Sequence, residues 1–333
     1  MQLPPESEGA LLVKTEAVGI CGTDREIVSG KYGTAPPGSD RLILGHELLG
    51  RVVEAPPDSG FGAGDRVAGI VRRPDPVPCA HCAIGEWDLC SNGRYTERGI
   101  KERDGFAAEL VRIEPGFAVH VDATLGIAGV LTEPASVVAK AWAEIEHFLS
   151  RSAARVERSV LVTGAGPIGL LAALMGLQRK LDVTVYDRAE SGPKPELVRE
   201  LGAEYRSPSS HPLRDDDRFD LIVECTGAAA VIVDMVNRLR CDGILCLTGV
   251  SSGGHTIAID LGSLNREMVL ENTIVFGSVN ARRAHYDAGA AALARADRAW
   301  LARLITRRVA LDRWHEALEK RPGDVKVVLD FTG

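Results

Sequence analysis

The chain has 333 residues, and its 39 Lys and Arg residues against 46 Asp and Glu residues give a formal net charge of −7. Hydrophobic residues make up 45% of the chain, which is enough to form packed cores, so disorder is excluded as the main state. An acidic chain with no block of basic residues and only 5% aromatic residues is expected to bind no nucleic acid. At roughly 150 residues per domain, the length predicts two domains.

Residues 1–140 have the composition of irregular β structure. Short β-type runs, such as 11–13 and 51–53, alternate with segments rich in Gly and Pro. The sequence begins with neither a basic nor an apolar leader segment, so we expect a cytoplasmic protein.

The cysteines of this half suggest metal binding. The chain has seven cysteines, an odd number, and Cys79, Cys82 and Cys90 lie close together in the sequence. Without an export signal, this pattern favours metal ligation over a disulfide framework.

A second set of candidate metal ligands is widely separated in the sequence. Thiolate, imidazole and carboxylate groups are the ligands of catalytic zinc sites, and here they are supplied by Cys21, His46, Glu47 and Glu133. Only folding could bring these residues together. On spacing alone, His46 can equally be a hydrogen-bonded structural histidine, and Cys21 a small buried hydrophobic residue.

From residue 137 onward, predicted helices and strands alternate. A helix is predicted over 137–148, and short runs rich in Val, Ile and Leu predict strands at 159–163, 182–186, 219–224, 243–248 and 273–277. Most of the gaps are long enough for a helix, which is typical of a parallel sheet with helices on both faces. Helices are then predicted at 284–296 and 299–307, with the basic run 303–308 on the outer face of a helix, and a final strand at 325–331.

A glycine-rich turn follows the strand predicted at 159–163. Gly164, Gly166 and Gly169 form a GxGxxG pattern that includes Pro167 and Ile168 and precedes an apolar stretch. This strand–turn–helix context is the one a dinucleotide fingerprint requires, because the glycines let the backbone approach a pyrophosphate and the helix N-terminus supplies free N–H groups. A turn that serves packing alone is the alternative. The turn also interrupts the nearly uncharged segment 159–178, so no membrane span is predicted there.

The next predicted strand ends at Asp187 and Arg188. Asp187 lies 18 residues beyond Gly169, about where an acidic side chain binds the adenine-ribose hydroxyls. A carboxylate there favours NAD because it would repel a 2′-phosphate, whereas the guanidinium of Arg188 would suit that phosphate. We therefore expect NAD to be favoured over NADP, with use of both cofactors left open.

One further motif is interpreted as chance. Residues 249–253 match the GxSxG pattern of a nucleophile elbow, which requires a helix directly after it. A loop and a strand at 256–260 are predicted instead.

Together these motifs resemble the zinc-containing medium-chain dehydrogenase/reductase superfamily, and within it the glucose 1-dehydrogenases. The broad resemblance rests on residues 19–24, 44–47, 62–67, the three clustered cysteines and 164–169. The closer resemblance rests on residues 24–28, 97–100, 104–106, 133–137, 269–272 and 277–280. It covers almost the whole chain.

The resemblance implies an α/β protein with a Rossmann doubly wound parallel sheet and a GroES-like, mainly β catalytic domain. The catalytic domain would comprise residues 1–140 and 281–333, and the NAD(P)-binding domain residues 141–280. A homodimer or homotetramer is also implied.

The activity implied is that of a zinc-dependent oxidoreductase. Hydride would pass between NAD(P) and a hydroxyl of a sugar or polyol, either aldose C1 or a secondary alcohol. Cys21, His46 and Glu133 would bind the catalytic zinc, with Glu47 as a further or alternating ligand. Thr23 would relay the substrate proton.

The resemblance also assigns residues to substrate and cofactor. Glu97 and Asn280 would contact sugar hydroxyls. The residues implied along the nicotinamide half of the cofactor are Thr226, Gly227, Thr248, Ser278 and Val279.

Two departures from the family affect these expectations. The family's structural zinc lobe has four cysteines, but Pro76 takes the place of the first. We still expect zinc at the remaining three, with Asp75 or His81 as a candidate fourth ligand, and an empty or oxidised lobe is the alternative. Arg72 and Leu270 stand near positions where some glucose dehydrogenases place Asn and His sugar contacts.

These departures leave the substrate open. A decorated sugar, an aminocyclitol or another specialised-metabolite alcohol is the alternative to glucose. A non-catalytic NAD(P)-binding sensor is a second alternative, which the joint presence of Cys21, Thr23, His46 and Glu133 disfavours.

Overall fold

The structure, a computed structural model, describes residues 3–152, 158–251 and 256–333. It divides into two compact units, residues 1–137 with 280–333 and residues 138–279. The domain boundaries predicted at 140 and 281 therefore lie within three residues of the division at 137 and 280.

The regular elements of the described residues are numbered in chain order. The strands are β1 Leu11–Ile20, β2 Glu47–Glu54, β3 Arg66–Gly69, β4 Arg72–Arg73, β5 Thr96–Arg98, β6 Glu102–Arg103, β7 Leu110–Ile113, β8 Ala118–His120, β9 Ser159–Thr163, β10 Asp182–Tyr186, β11 Glu204–Arg206, β12 Phe219–Glu224, β13 Leu239–Leu247, β14 Ile274–Gly277, β15 Ile305–Ala310 and β16 Lys326–Asp330. The α-helices are α1 Gly22–Val28, α2 Ala80–Ala83, α3 Thr132–Leu149, α4 Pro167–Gln178, α5 Pro193–Leu201, α6 Ala229–Val236, α7 Leu261–Leu270, α8 Arg283–Ala294, α9 Arg298–Leu304 and α10 Trp314–Leu318.

The first unit is built on one large sheet. In the described residues it has seven strands, ordered β15-β16-β1-β2-β3-β8 with β7 also paired to β1, and β4, β5 and β6 form a smaller sheet. Its core includes buried aliphatic side chains of the central strands, among them Leu11, Val18, Leu48 and Val327. Since β1 pairs antiparallel with both β2 and β16, the end of β1 lies beside the first residues of those two strands.

The second unit is a parallel sheet with helices. Its described strands follow the order β11-β10-β9-β12-β13-β14, and every neighbouring pair is parallel. This is a doubly wound order: β10 and β11 are added on one side of β9, and β12, β13 and β14 are added on the other. The prediction of a Rossmann sheet with a mainly β domain is confirmed.

Three of the five predicted parallel strands have the predicted bounds, and two differ. The strands 159–163, 182–186 and 219–224 coincide with β9, β10 and β12. The strand predicted at 243–248 begins earlier, at Leu239, and the one predicted at 273–277 begins at Ile274. Strand β11 was not predicted, because its sequence Glu-Tyr-Arg contains no apolar run and only its pairing with β10 makes it a strand.

Two predicted elements are wrong. The basic run 303–308 does not lie on one helix, because α9 ends at Leu304 and Arg307 and Arg308 lie in β15, which pairs with β16. No strand forms at 256–260. Those residues are exposed and lead to Asp260, whose side chain accepts a hydrogen bond from the Ser263 N–H at the start of α7. Two residues of the GxSxG segment, Ser252 and Gly253, lie outside the described residues.

Candidate active site and cofactor site

Cys21 is placed by the end of β1 and the start of α1. Its Sγ accepts a hydrogen bond from the Thr23 N–H at 3.2 Å, and its own N–H donates to Asp24 Oδ2 at 2.9 Å. This reciprocal arrangement is a capping box at the start of the helix. It fixes the Cys21 side chain at the start of α1.

His46 meets Cys21 across β1 and β2. Its Nε2 lies 3.1 Å from Cys21 Sγ, and its Nδ1 lies 3.4 Å from Asp24 Oδ1. Burial acts to lower the pKa of His46, but Cys21 and Asp24 together raise it well above its usual value. Asp24 thus contacts both Cys21 and His46 and orients them. Asp24 was not predicted as a site residue, although its position three residues after Cys21, the helix cap, was the available signal.

Glu47 is held by a buried lysine. Both of its carboxylate oxygens accept hydrogen bonds from Lys326 Nζ, at 2.6 and 2.5 Å. Burial acts to lower the pKa of Lys326, but the charges of Glu47 and Cys21 raise it. Gly19 makes room for this pair, because a Cβ at that position would lie 1.9 Å from Glu47 Oε2. Lys326 was also not predicted as a site residue. The available signal was its charge, which stands between Val325 and Val327 in a predicted apolar strand.

Glu133 lies at the start of α3. Burial raises the pKa of its carboxyl to about 7, while His46 acts to lower it and Glu47 acts to raise it. Glu133 does not belong to the group formed by Cys21, Asp24 and His46, whose ligand atoms all lie within 4.8 Å of one another.

The donor set fits a zinc ion. Two ligands of a tetrahedral zinc, with a Zn–S distance of about 2.3 Å and a Zn–N distance of about 2.0 Å, lie about 3.5 Å apart. Cys21 Sγ and His46 Nε2, at 3.1 Å, therefore need to separate by only about 0.4 Å to bind it. The carboxylate behind the other imidazole nitrogen is the usual support of a zinc-bound histidine. Glu133 and Glu47 are the predicted carboxylates that would complete the set, and both oxygens of Glu47 are hydrogen-bonded to Lys326.

Glu97 and Asn280, the predicted hydroxyl-binding residues, are in direct contact. Asn280 Nδ2 donates to Glu97 Oε1 at 2.5 Å, and Asn280 Oδ1 accepts from the Ala281 N–H at 2.8 Å. Glu97 is buried and lies in β5. The turn that follows Glu97 packs closely against the segment before His46. Gly99 in this turn adopts a φ of +70°, and a Cβ there would lie 2.6 Å from Gly45 O, so this close approach requires glycine.

The glycine-rich turn after β9 leaves open space beside its backbone. Gly164 has a φ of +88°, and a Cβ on Gly169 would lie 1.8 Å from Gly164 O, so both positions require glycine. Gly166 has open space where a Cβ would be, and as the N-cap of α4 it caps the helix with no side-chain hydrogen bond. Pro167 and Ile168 begin that helix. The turn therefore offers free N–H groups and space for a pyrophosphate.

Asp187 already holds this turn together. Its Oδ2 accepts from the Ala165 N–H at 2.8 Å and lies 3.4 Å from Lys194 Nζ, and its Oδ1 accepts from the Ala189 N–H at 2.9 Å. Burial acts to raise the pKa of Asp187, but these contacts lower it. Arg188 is exposed beside it.

The other predicted cofactor residues lie at the carboxyl ends of the parallel strands. Thr226 and Gly227 both donate N–H groups to the buried carboxylate of Glu224, and Thr248 Oγ1 donates to Glu224 O at 2.8 Å. Ser278 Oγ is buried with no hydrogen bond in the described residues, whereas Val279 is exposed. Glu224 was not predicted as a site residue, and its signal was a carboxylate at the end of an apolar strand.

The three clustered cysteines converge in space. The Sγ atoms of Cys79, Cys82 and Cys90 lie within 4.8 Å of one another. The Cys82 N–H lies 3.5 Å from Cys79 Sγ and, with Ser91, lowers the pKa of Cys79 to about 5. Neither Asp75 nor His81 belongs to the group. The Asp75 carboxylate instead accepts from the Val77 N–H and from Asn92, and His81 lies 3.4 Å from Glu86.

Comparisons with known proteins now identify the family. The family model for the alcohol dehydrogenase GroES-like domain matches residues 7–123, and the one for the glucose dehydrogenase C-terminus matches residues 126–331. The chain belongs to the zinc-containing medium-chain dehydrogenase/reductase family, in its glucose dehydrogenase branch. It is an NAD(P)-dependent zinc dehydrogenase. The alternative prediction, a non-catalytic NAD(P)-binding sensor, is therefore wrong.

Individual relatives of this dehydrogenase cover nearly all of it. Glucose 1-dehydrogenase 1 of Caldivirga maquilingensis is 42% identical over 98% of this chain and 93% of its own length. Glucose 1-dehydrogenase of Methanocella arvoryzae is 37% identical over 98% of this chain and 94% of its own. A solved structure of Haloferax mediterranei glucose dehydrogenase in complex with NADP, Zn and gluconolactone matches with a TM-score of 0.88 and 31% identity, covering 100% of this chain and 96% of that one.

None of the dehydrogenase's helices, within the described part of the chain, combines the length and the apolar character needed to cross a bilayer.

Proposed function

We propose that this dehydrogenase oxidises a hydroxyl of a sugar or polyol, at aldose C1 or at a secondary alcohol, and transfers hydride to NAD(P). The observation that carries the proposal is the pairing of Cys21 with His46, at 3.1 Å, in the same unit as the pair of Glu97 and Asn280, at 2.5 Å. The first pair suits a metal and the second suits hydroxyl groups. The glucose dehydrogenase names of the relatives support this substrate class.

Each residue has a defined task in this proposal. Cys21, His46 and Glu133, with Glu47 as a further or alternating ligand, would hold the zinc, which would supply a Lewis acid that lowers the proton affinity of the substrate oxygen. Asp24 keeps His46 in the orientation that exposes Nε2. Thr23 is half-buried, and its hydroxyl makes no hydrogen bond to any described residue, so it is available to pass the substrate proton towards solvent.

We propose that the enzyme uses both nicotinamide cofactors and favours NAD. Asp187 supports NAD, because a carboxylate accepts ribose hydroxyls and repels a 2′-phosphate. The exposed Arg188 and the ammonium of Lys194, 3.4 Å from Asp187, support tolerance of NADP. NADP is the cofactor named in the Haloferax mediterranei complex.

A decorated sugar, an aminocyclitol or another specialised-metabolite alcohol is the second candidate substrate. Arg72 favours it, since it stands near the position where some glucose dehydrogenases place an Asn sugar contact, and here its side chain is paired with Glu97 instead. A cytoplasmic location and a homodimeric or homotetrameric state remain predictions, the latter open to light scattering of the purified enzyme.

Zinc analysis combined with a reduction assay tests the proposal. Purified enzyme is assayed with NAD and with NADP against glucose, galactose, xylose, cyclitols and simple secondary alcohols. We expect zinc in the protein and reduction of NAD with at least one sugar or polyol. Absence of zinc together with absence of turnover on every substrate would contradict the proposal.

Substitution of the zinc ligands sharpens this test. Cys21→Ser or His46→Ala is expected to lower kcat by about a thousandfold or more, because the Lewis acid contributes several kcal/mol to the barrier reduction. Binding of NAD, followed by quenching of protein fluorescence, is expected to persist. Cys241→Ser, at an exposed cysteine of the other unit, is the matched control. Full activity in the Cys21→Ser enzyme would contradict the zinc assignment.

A further inference from the structure

Arg72 forms a buried ion pair with the predicted hydroxyl-binding carboxylate. Its Nε and Nη2 lie 3.1 and 3.0 Å from Glu97 Oε1, and both residues are less than a tenth exposed. The two residues face each other across the antiparallel pair β4 and β5. Arg72 Nη1 also donates to Asp88 O at 3.1 Å, and its guanidinium lies 3.7 Å from the centre of the Tyr95 ring. The guanidinium is therefore held on several sides.

The two oxygens of Glu97 are used differently. Oε1 accepts hydrogen bonds from Arg72 Nε, Arg72 Nη2 and Asn280 Nδ2. Oε2 accepts none from any described residue. Because a carboxylate oxygen has about two lone pairs, Oε1 has no capacity left, and only Oε2 can accept a hydrogen bond from a substrate hydroxyl.

Arg72 is also connected to the candidate metal ligands. The N–H of Val71, the preceding residue, donates to Tyr286 OH at 3.2 Å. Tyr286 lies in α8, which packs closely against the start of α3, because a Cβ on Gly289 would lie 2.8 Å from the backbone of Ala135. The segment that carries Arg72 is therefore tied to α8, which packs against the helix that begins beside Glu133.

We propose that Arg72 is a positioning residue for substrate recognition: it clamps Glu97 through Oε1, so that Oε2 alone is presented to one hydroxyl of the substrate. The inference rests on the proposed sugar or polyol dehydrogenase activity. A carboxylate held in one orientation loses less conformational entropy when the substrate binds, so the arginine lowers KM rather than the barrier of the chemical step. Its ion pair also offsets the cost of burying the charge of Glu97.

Kinetics of Arg72 variants test this role with the best sugar or polyol of the wild-type enzyme. Arg72→Gln removes the positive charge and the ion pair that orients Glu97. It is expected to raise KM about tenfold or more, because that factor corresponds to the loss of one hydrogen bond to a charged group. The value of kcat is expected to change much less. Arg72→Lys keeps the charge but supplies a single donor group, and is expected to raise KM by an intermediate factor. This graded recovery would not follow from a purely structural role.

Arg73→Gln is the matched control. Arg73 is the next residue and is equally buried, but it pairs with Glu114, at 2.7 Å, instead of Glu97. We expect this variant to unfold at a lower temperature and to retain the wild-type KM.

Three outcomes would overturn the inference: an unchanged KM in Arg72→Gln, an equal rise of KM in Arg72→Gln and Arg73→Gln, or a loss confined to kcat. If Arg72→Gln does not fold, an unchanged KM in Arg72→Lys would overturn it. Failure of the wild-type enzyme to oxidise any sugar or polyol would instead contradict the proposed function, so the two failures are distinguishable.

Discussion

At the scale of single residues, Asp187 combines a structural and a recognition task. Its carboxylate accepts the N–H of Ala165 inside the glycine-rich turn and the N–H of Ala189. The same group lies where an adenine ribose is expected. Loss of this carboxylate therefore affects the shape of the turn as well as the preference between cofactors.

Cofactor preference is expected to shift in opposite directions in two neighbouring variants. Asp187→Ala should weaken binding of both cofactors, because the turn loses an acceptor, but NAD more than NADP, because a negative charge near the 2′-phosphate is removed. Arg188→Ala should weaken NADP more than NAD. The ratio of KM values for the two cofactors measures both effects. An equal loss of NAD and NADP in Asp187→Ala would contradict the role given to this carboxylate.

The candidate zinc ligands could be named from the sequence, but the residues that hold them could not. Cys21, His46 and Glu133 stand in motifs whose residue types signal metal chemistry. Asp24 and Lys326 are ordinary charged residues, and their roles depend on a buried position between strands that are far apart in the sequence. No local pattern records such a position.

At the scale of elements, the pairing of β1 with β2 and β16 creates a buried ion pair. Glu47 begins β2 and Lys326 begins β16, and their charged groups meet beside Gly19 of β1. Removal of one member of such a pair destabilises the fold, because the remaining charge is left without a partner in an apolar environment.

Lys326→Met is therefore expected to lower the free energy of unfolding by about 3–5 kcal/mol. Urea unfolding of the metal-depleted protein measures this loss without a contribution from zinc. Lys320→Met, at an exposed lysine, is the control and should leave stability nearly unchanged. The double variant with Glu47→Gln should recover much of the loss, because no unpaired charge remains. A stable single variant would show that the pair contributes little.

The three-cysteine lobe makes a separate prediction about metal content. We expect two zinc ions per chain, one at the catalytic ligands and one at Cys79, Cys82 and Cys90, whose sulfur atoms lie within 4.8 Å of one another. Cys82→Ser should lower the content to one and make the protein more sensitive to heat, since structural zinc stabilises the fold. Elemental analysis with Cys241→Ser as control measures this. One zinc per wild-type chain would mean that the lobe is empty or oxidised.

Among the elements, strands in continuous apolar runs were predictable and short paired strands were not. Residues 159–163 and 219–224 are buried on both faces, so their sequence alone identifies them. Residues 305–310 mix two arginines with apolar side chains and resemble a helix face, but backbone pairing with β16 makes them a strand. Tertiary context overrides local pattern at such edges.

At the scale of the whole molecule, ion pairs between a partly buried glutamate and two arginines affect the stability of the protein in acid. Glu114 contacts Arg73 at 2.7 Å and Arg103 at 2.8 Å. Burial acts to raise the pKa of Glu114, but the arginines lower it to about 2, below its usual value of 4.5. Because the folded-state pKa is the lower one, this group stabilises the protein above pH 4.5, and that contribution is lost as the pH falls towards 2.

Glu114→Gln is expected to be less stable than the wild type by about 1 kcal/mol at neutral pH, after allowance for solvent screening of a partly exposed pair. The difference should shrink between about pH 5 and pH 2, where the wild-type carboxyl takes up its proton. Unfolding temperatures across this range measure it. Glu109→Gln, at an exposed carboxylate, is the control. A difference that does not depend on pH would contradict the assignment to this ion pair.

The buried contact between Glu47 and Lys326 also bears on biosynthesis. Cys21 leaves the ribosome early, but its neighbour Lys326 is added 305 residues later. At about 5–20 residues per second, the nascent thiol waits roughly 15–60 seconds before its surroundings are complete. During that interval Glu47 lacks its lysine partner, so this part of the first unit is completed only when β16 has been synthesised.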